Sequence, residues 1–428
     1  MTGAMLDATV VGSGPNGLAA AVTLAKAGLE VRLVERARTV GGGLRTAELT
    51  LPGFRHDVCS AVHPQALASP FFSAFGLRER VRFIIPEASY AHPLGGREAA
   101  IAYRDLDRTV LELGNDGDAW RRLFGPLLEH LAGVASFTET QLLRVPPHPI
   151  DAFRYVRRVL EQGTIAQGWR FRDLAAAALF AGVAAHTPGR HPSLATAGTG
   201  LLLGAHAHAG GWGVPVGGSQ AIADALADEF RALGGRIDTG VEVRSRADLE
   251  PSRVTLLDTS PEFLARFAGE TLPAGYRRRL ARFKRGPGVA KLDLALMGPV
   301  PWTDARVATA PTVHLGGARA EIAAAEREVL RGGPHEGTSG GGLEGGDAGR
   351  QPGAAVEELA RRHDLLAQRE QPSERIVGRL DAEEGASVRV RPVSPGVAGR
   401  DAWAPLRRHG VATLATPLGA CWLMKPNM

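Results

Sequence analysis

The stretch VVGSGPNGLAAAVTLAKAG, residues 10–28, decides the fold of this chain. It places glycines at positions 12, 14 and 17 in the spacing Gly-x-Gly-x-x-Gly, which is typical of turns that bind dinucleotides. The spacing alone is weak evidence, because 54 of the 428 residues are glycine and the same pattern recurs within residues 340–345. The neighbouring residues therefore have to distinguish the two copies.

The first copy lies between a strand and a helix, and the second does not. Residues 7–11, DATVV, form an apolar run that predicts a buried parallel strand ending at Gly12. NGLAAAVTLAKAG then predicts a helix that ends at Gly28, and EVRLVE predicts a second strand that ends at Glu35. Strand, glycine turn, helix and strand in this order predict a Rossmann-type crossover unit.

Each residue of the glycine turn has a physical role in binding a dinucleotide. Gly12 permits the tight bend, Gly14 lets the backbone approach a diphosphate, and Gly17 lets the helix pack closely against the strand. Pro15 and Asn16 begin the helix, where free N–H groups and the helix dipole favour a bound anion. We therefore assign these five residues to cofactor binding.

Glu35 completes the predicted nucleotide site. An acidic side chain about twenty residues beyond the turn accepts hydrogen bonds from a ribose diol, and it repels the 2′-phosphate of NADP. The alternative interpretation is a tight turn in an α/β sheet that binds no nucleotide.

Residues 35–64, ERARTVGGGLRTAELTLPGFRHDVCSAVHP, follow the crossover unit with arginines and a second glycine turn. This stretch resembles the second dinucleotide motif of the amine oxidase and phytoene desaturase superfamily of flavoproteins. The resemblance implies FAD and places Gly41, Gly42 and Gly43 under its diphosphate, with Arg36 as a further ligand. The common motif has an arginine directly after two glycines, whereas this chain has Arg45 two positions after Gly43.

Longer stretches make the resemblance more specific. PGFRHDVCSAVHPQALASPFF, GGWGVPVGGSQAIADALADEFRALGG, LLDTSPEFLARFAG and GPGVAKLDLALMGPVPW resemble the phytoene dehydrogenase-related oxidoreductases, which are similar to carotenoid desaturases and to animal proteins with a pyridine nucleotide-disulphide oxidoreductase domain. The resemblance covers about residues 5–330. It implies an FAD-dependent oxidoreductase and leaves the substrate open.

The predicted fold class is α/β, with a Rossmann-type FAD-binding domain, a discontinuous α+β substrate domain and an irregular C-terminal tail. Strands are predicted in VRFIIPEASYAHPL, AAIAYRD, RIDTGVEVRS and VAKLDLALM, and helices at 117–131, within 151–185 and in SQAIADALADEFRALGG. By resemblance, the backbone around Val243 meets the adenine. The predicted domains are 1–80 and 206–262 for FAD, 81–205 and 263–331 for substrate, and 332–428 for a glycine-rich linker and an atypical, disordered tail.

Composition excludes several classes of protein. The chain has a net charge of +5, and its cations are taken to be scattered among 45 acidic residues. We therefore predict no nucleic-acid partner. The two cysteines predict neither a disulfide framework nor a metal site. The chain shows no apolar run long enough to span a bilayer and no signal peptide in MTGAML, so the expected location is cytoplasmic.

Three smaller patterns invite functional interpretations beside structural ones. His206 and His208 alternate as if on one face of an extended segment, which suits a metal, although packing is the favoured interpretation. Cys59 and His63 have the spacing of a thiol and a base, although Cys59 is more simply a small buried residue.

The third pattern is DAFRYVRRVL, residues 151–160. It places Phe153, Val156 and Leu160 on one helical face, with arginines at 154, 157 and 158 elsewhere. The favoured interpretation is a helix whose apolar face packs on the core, and the alternative is a peripheral contact with a membrane surface.

The chain changes character at residue 332. Nine of the eighteen residues from 332 to 349 are glycine, which predicts a linker. GAAVEELARRHDLLAQRE is a candidate helix and SVRVRPV a candidate strand, but neither resembles the glycine-rich segment with which the family covers its flavin. Either the reading frame was lost near residue 332, which we favour, or the protein has a divergent end.

The predicted chemistry belongs to the flavin and requires no particular acid or base, so no catalytic residue is assigned. The expected reaction transfers hydride from an apolar organic substrate to the flavin, with an unidentified electron acceptor. The alternatives are a flavin amine oxidase and a truncated remnant of the family without catalytic activity.

Overall fold

The computed structural model describes residues 5–138, 145–285, 290–296 and 298–331, together with the backbone of four strands between residues 378 and 422. The strands are β1 (Leu6–Val11), β2 (Val31–Glu35), β3 (Thr46–Glu48), β4 (Arg55–Asp57), β5 (Phe83–Ile84), β6 (Ala88–His92), β7 (Ala100–Tyr103), β8 (Val214–Pro215), β9 (Arg236–Thr239), β10 (Ser252–Leu257), β11 (Ala290–Ala295), β12 (Gly378–Arg379), β13 (Ser387–Arg391), β14 (Gly410–Thr416) and β15 (Gly419–Trp422).

The α-helices are α1 (Pro15–Lys26), α2 (Pro70–Phe75), α3 (Leu77–Arg80), α4 (Leu106–Glu112), α5 (Gly117–Leu128), α6 (Leu131–Thr138), α7 (Pro149–Gln162), α8 (Leu174–Ala184), α9 (Leu194–Ala209), α10 (Gln220–Ala232), α11 (Pro261–Ala268), α12 (Ala274–Ala281) and α13 (Arg319–Leu330). Short 3-10 helices include Gly42–Leu44 and Ile165–Trp169. Among the described residues, no helix combines the length and the apolar composition that spanning a bilayer requires.

The chain divides into two compact units. Unit 1 consists of Met1–Ala47, Arg55–Ile84 and Val214–Arg285, and unit 2 of Glu48–Phe54, Ile85–Gly213 and Gly286–Met428. The chain therefore passes from one unit to the other at residues 48, 55, 85, 214 and 286. The domain limits given by the sequence analysis, at residues 81, 206 and 263, stay predictions about functional domains.

Unit 1 is built on a parallel sheet with the strand order β10-β1-β2-β9. The crossover β1-α1-β2 confirms the predicted strand, glycine turn, helix and strand. Its core contains Val10, Leu18, Leu33, Leu226 and Phe230, all of them fully buried. The small residues of α1 let this helix approach the sheet, and α10 packs beside it as the predicted amphipathic helix.

Unit 2 contains the antiparallel pair β6-β7 and a layer of helices. Both strands are buried along their whole length, and residue Ala91 of β6 also pairs in parallel with Val313. The helices α5, α7, α8 and α9 pack on one another around large buried side chains, among them Trp120 and Phe124. The strands predicted in residues 81–94 and 99–105 are therefore confirmed over the shorter ranges of β6 and β7.

The described part of the tail is a set of strands that forms one sheet with β11. The sheet order is β12-β13-β11-β14-β15, in which β14 runs parallel to β11 and the other neighbours are antiparallel. The predicted strand SVRVRPV appears as β13. Where it is described, the tail is thus regular rather than irregular, whereas the predicted linker at 332–349 and the candidate helix at 353–370 lie outside the described residues.

Helix α7 does not bury the face that the sequence analysis favoured. Phe153, Val156 and Leu160 are exposed, and Phe153 keeps 67% of its surface. The buried residues of this helix include Tyr155 and Arg158. The core-facing interpretation of the apolar residues is therefore wrong, because the tertiary structure buries the opposite side of the helix.

Candidate functional site

The first glycine turn joins the end of β1 to the start of α1. Gly12 has a φ of +101°, and a Cβ atom built on it would lie 2.3 Å from the backbone oxygen of Asp258. A Cβ on Gly17 would lie 2.1 Å from the carbonyl oxygen of Gly12. The turn therefore requires glycine at both positions, one for backbone conformation and one for space.

Asp258 fills the space beside Gly14 and was not found by the sequence analysis. Its backbone N–H donates to the carbonyl of Val11 over 2.8 Å, and its Oδ2 accepts from the N–H of Gly17 over 2.9 Å. A Cβ on Gly14 would lie 2.5 Å from that same oxygen. The carboxylate thus accepts a hydrogen bond from one of the N–H groups at the start of α1. Its negative charge also interacts favourably with the positive end of the helix dipole.

Glu35 at the end of β2 is held in place by the glycine turn. Its Oε2 accepts hydrogen bonds from the N–H of Ser13 over 2.8 Å and from the Ser13 hydroxyl over 2.7 Å. Its Oε1 accepts from the N–H of Ala37 over 2.7 Å. Because an ionised carboxylate offers about four acceptor positions, Glu35 is oriented in advance and retains capacity for another donor.

The second glycine turn packs directly against the first. Gly41 and Gly42 have φ values of +117° and +53°, and a Cβ on Gly42 would lie 2.9 Å from the Cα of Gly14. The N–H of Gly41 donates to the carbonyl of Ser13 over 2.9 Å. The two turns that the sequence analysis assigned to one cofactor are therefore in contact.

The start of α10 fixes the second turn from the other side. The Gln220 side chain donates to the carbonyl of Val40 over 3.2 Å, and its backbone N–H donates to Thr46 Oγ1 over 3.0 Å. The Ser219 N–H donates to Asp57 Oδ1 over 2.7 Å, and Thr46 donates to the same oxygen. These residues form a hydrogen-bonded support around the turn.

Backbone donors remain free where the two turns meet. The N–H groups of Gly14, Asn16, Gly42 and Gly43 donate to no acceptor among the described residues. The first two residues belong to one turn and the last two to the other, and all four residues retain solvent access. A diphosphate requires such a set of convergent N–H donors, so the residues present fit a dinucleotide.

The remaining predicted ligands occupy different settings. Arg36 is exposed and makes no ion pair with any described residue, whereas the Arg45 guanidinium donates to the carbonyl of Gly42 over 3.0 Å. Arg45 therefore supports the turn from within. The side chain of Val243 is buried with Val11, Val34 and Phe267. The contact with adenine therefore stays a prediction about the backbone of Val243.

The supporting residues escaped detection because they are scattered along the chain. Asp258 is 241 positions from Gly17, and Ser219 is 162 positions from Asp57. A local signal existed for Asp258, since LLDTSPEF reads as an apolar strand that ends in an acid before a helix. The sequence analysis used that stretch for its resemblance alone.

Cys59 and His63, the residues of the predicted thiol and base pattern, lie in different settings. Cys59 is exposed, so its interpretation as a small buried residue is wrong. His63 Nε2 lies 2.7 Å from the Ser219 hydroxyl, which donates its own proton to the carbonyl of Ser60. His63 therefore donates to Ser219, and burial lowers the pKa of His63 to about 4.

The two alternating histidines of unit 2 lie on α9 and not on an extended segment. The expectation that they share one face is therefore wrong, since residues two apart on a helix point in different directions. His208 Nδ1 donates to the carbonyl of Tyr103 over 2.7 Å, and its Nε2 accepts from the indole of Trp120 over 2.9 Å. The favoured packing role agrees with these contacts, and a search of the described residues finds no group of three metal ligands.

A second group of buried histidines lies between β6 and α8 in unit 2. His186 Nε2 and His314 Nε2 are 2.8 Å apart, and His92 Nε2 donates to the carbonyl of Gly317 over 2.7 Å. Burial lowers the pKa of His92 and of His186 to about 4 and that of His314 well below its ordinary value. The three rings are therefore neutral near pH 7.

Comparison with known proteins identifies the class of the first unit. A family model described as an NAD(P)-binding Rossmann-like domain matches residues 10–74, which include both glycine turns and Glu35. The chain therefore contains a dinucleotide-binding Rossmann-type domain, as its sequence predicts.

Similarity extends well beyond this domain. Over 357 residues the chain is 25% identical to pyridine nucleotide-disulfide oxidoreductase domain-containing protein 2 of Rattus norvegicus. The matched region covers 68% of this chain and 60% of that protein. The corresponding protein of Mus musculus is 24% identical over 359 residues, with the same coverage. The chain thus spans about 60% of the length of the curated relatives it matches. This similarity confirms the resemblance identified from the sequence.

Solved structures of two enzymes are also similar. Cyclohexylamine oxidase from Brevibacterium oxydans IH-35A has 18% identity and a TM-score of 0.43, covering 69% of this chain and 66% of that one. The CLA-producing fatty acid isomerase from P. acnes has 16% identity and a TM-score of 0.44, covering 68% and 65%. These likenesses leave the substrate of the present chain open.

Proposed function

We propose that this chain binds FAD and transfers hydride from an apolar organic substrate to the flavin, as a dehydrogenase or desaturase-like oxidoreductase. The observation that carries the proposal is the contact between the two glycine turns, where four backbone N–H groups are free beside an oriented Glu35. The similarity to a pyridine nucleotide-disulfide oxidoreductase domain-containing protein supports an oxidoreductase.

The residues around the two turns have distinct roles in this proposal. The N–H groups of Gly14, Asn16, Gly42 and Gly43 would hold the diphosphate, because hydrogen bonds to a charged acceptor contribute about 1.5–3 kcal/mol each. Glu35 would accept from the ribose hydroxyls. Arg36, which is exposed and unpaired among the described residues, would add a positive charge beside the phosphates.

A bound flavin supplies the hydride acceptor, which is chemistry that no side chain provides. The contribution of the protein is to orient the nucleotide, to position the substrate and to exclude water from the reacting atoms. Asp258 acts on the first of these tasks, because its carboxylate fixes the start of α1. The apolar character of the substrate is inferred from the resemblance to dehydrogenases and desaturases.

The decisive experiment is to purify the full chain, record its visible spectrum and identify the cofactor released on denaturation. The expected result is a yellow protein that releases FAD, or a colourless one that takes up added FAD and then resists extensive dialysis. Folded protein that binds neither FAD nor another dinucleotide would overturn the proposal. Colourless and aggregated protein would favour the truncated remnant.

A pair of glycine variants tests the two turns directly. Gly42→Ala and Gly28→Ala both place a side chain at positive φ, which costs about 1–2 kcal/mol in each case. A Cβ at Gly42 meets the first turn, whereas a Cβ at Gly28 meets nothing within 4 Å. We expect Gly42→Ala to lose FAD and Gly28→Ala to retain it, so equal retention by both variants would contradict the assigned site.

The amine oxidase alternative is tested on the FAD-loaded protein. Under anaerobic conditions, a substrate that reduces the flavin bleaches its visible absorption. Bleaching by polyenes or other apolar alkenes, and not by primary amines, is expected for the proposed reaction. Bleaching by amines alone would assign the chain to the amine oxidases and would leave the FAD site intact.

A further inference from the structure

One densely basic stretch departs from the distributed charge assumed above. Residues 276–285, YRRRLARFKR, contain six Arg or Lys among their last nine positions, and we call them the basic segment. The segment comprises most of α12 and the residues that follow this helix in unit 1. The cations of this chain are therefore not evenly distributed.

The basic segment is exposed, and most of its charges have no acidic partner. Arg285 pairs with Glu262, with 2.8 Å between Nε and Oε1. The other five cations, at positions 277, 278, 279, 282 and 284, form no ion pair with any described residue. Arg278 and Arg279 lie in the last turn of α12, where cations interact favourably with the helix dipole, but Lys284 and Arg285 lie beyond this helix.

Two aromatic rings lie exposed among these charges. Tyr276 keeps 45% of its surface and Phe283 keeps 53%. Cations interleaved with exposed aromatic side chains suit the boundary between lipid headgroups and acyl chains, where rings enter the interface and guanidinium groups meet phosphates.

From these features we propose that the chain docks peripherally on an anionic phospholipid bilayer through the basic segment. Clusters of four to eight Lys or Arg on an amphipathic helix bind anionic lipid surfaces. Nucleic acid is the competing partner, because exposed rings and cations also bind single strands. A second surface, in unit 2, also suits acyl chains and is tested separately from the basic segment.

That second surface is the apolar face of α7, defined as Ile150, Phe153, Val156 and Leu160. All four residues are exposed, and Ile165 and Trp169 in the following 3-10 helix are exposed as well. Arg157 on the same side of the helix is exposed and has no acidic partner among the described residues. Exposed aliphatic side chains suit acyl chains, whereas nucleic-acid recognition uses them only against thymine methyl groups or as wedges between bases.

The test is co-sedimentation of the full chain with vesicles of phosphatidylcholine alone or mixed with phosphatidylglycerol. We expect binding to the mixed vesicles, weakened by salt. The triple variant Arg277→Gln, Arg278→Gln, Arg279→Gln should lose roughly 100-fold in affinity. Its matched control changes three exposed arginines elsewhere, Arg55→Gln, Arg78→Gln and Arg97→Gln, and should bind like the parent protein.

The apolar face of α7 is tested by Phe153→Ser combined with Leu160→Ser. Since both side chains are exposed, the variant should fold with an unchanged melting temperature and lose about tenfold in vesicle affinity. Leu111→Ser combined with Leu233→Ser removes two exposed apolar side chains elsewhere and should have no effect. An unchanged affinity of the first pair would show that the apolar face of α7 does not contact the bilayer.

Two results would overturn the proposal for the basic segment. One is equal or absent binding to the two kinds of vesicle. The other is binding of single-stranded RNA that the triple glutamine variant abolishes while vesicles are not bound, which would assign the segment to nucleic acid. Neither readout depends on turnover, so the proposal stands or falls independently of the proposed redox function.

Discussion

The two units differ in where most of their unpaired polar groups lie. In unit 1, the carboxylates of Glu35 and Asp258 are hydrogen-bonded, and the free groups are backbone N–H donors with access to solvent. Among the described residues of unit 2, the buried side-chain atoms without a hydrogen-bond partner include Tyr90 Oη, His92 Nδ1, Thr312 Oγ1 and His314 Nδ1, whereas Thr9 Oγ1 is such an atom in unit 1. Free donors at a surface cost little, because water satisfies them until a ligand arrives.

The unpaired atoms of unit 2 are costly because water does not reach them. His92 donates through Nε2 to the carbonyl of Gly317, which leaves its neutral Nδ1 as an acceptor without a donor. A Cβ at Gly182 would lie 2.8 Å from this nitrogen, so α8 packs directly on it. The comparison teaches that unit 1 leaves its unused backbone donors at the surface, whereas unit 2 buries several unpaired side-chain atoms at a cost in stability.

The largest expected effect is the loss of folding stability on acidification. Burial lowers the pKa of His63, His92, His186 and His208 from 6.5 to about 4. The unfolded chain therefore binds more protons between pH 6.5 and 4, so folding stability is full above pH 6.5 and falls as the pH decreases through this window. Each ring contributes up to about 3 kcal/mol.

Urea denaturation at pH 7, 5.5 and 4.5 measures this loss. His186→Gln removes one titrating ring and should reduce the dependence on pH, whereas replacement of the exposed His148 by glutamine should not. Stability that stays constant across the window would show that the buried histidines are protonated in the folded protein.

The buried cation Arg158 in unit 2 sharpens the comparison, because its guanidinium group is hydrogen-bonded to backbone carbonyls. Arg158 is 3% exposed and donates to the carbonyls of Leu123 and Arg122 over 2.9 and 3.3 Å. Pro126 inside α5 lacks the N–H that would otherwise reach the Arg122 carbonyl. We expect Arg158→Met to cost about 1–3 kcal/mol, since it leaves buried carbonyls unpaired.

The role of the proline is tested by a double-mutant cycle. In a Pro126→Ala background, the restored N–H can reach the carbonyl of Arg122, so Arg158→Met should cost less there. Urea denaturation of the four proteins gives the coupling free energy. A coupling free energy of zero would show that the contribution of Arg158 to stability does not depend on Pro126.

The prepared state of unit 1 is tested at Asp258. Asp258→Ala removes the acceptor of the Gly17 N–H and should lower the free energy of unfolding by about 1–2 kcal/mol. Asp258→Asn keeps an acceptor oxygen and should lose less. Glu30→Gln is the control, since Glu30 is exposed and forms no ion pair with any described residue, and an equal loss in Asp258→Asn and Asp258→Ala would assign the effect to charge alone.

The smallest effect is expected from two tyrosines. Tyr155 donates its hydroxyl to the carbonyl of Gly198 over 2.8 Å, whereas the buried Tyr90 hydroxyl has no partner. Tyr155→Phe should therefore destabilise the chain by about 1 kcal/mol, and Tyr90→Phe should be neutral or stabilising by up to about 1 kcal/mol. Thermal melts compare the two. A loss in Tyr90→Phe as large as that in Tyr155→Phe would show that the Tyr90 hydroxyl is satisfied.

Much of unit 1 was predictable, because its signals are local. Gly12 and Glu35 lie within one crossover unit, and the alternation of apolar and small residues between them defines strand and helix without reference to the rest of the chain. The histidines on α9 were less predictable, because Ala and Gly between them suit either a helix or an extended segment. The exposure of the α7 apolar face could not be predicted from the sequence. An amphipathic pattern shows that two faces of a helix differ, but it does not show which face is buried.

The sequence by itself determined the β1-α1-β2 crossover, the two glycine turns and the acid at the end of β2, because each depends on backbone sterics and short-range periodicity. Only the tertiary structure decided that Asp258 caps α1, that the two turns touch, and that unit 2 encloses unpaired polar atoms. These features join residues as far as 241 positions apart. Their geometry follows from packing between distant segments, which no local pattern encodes.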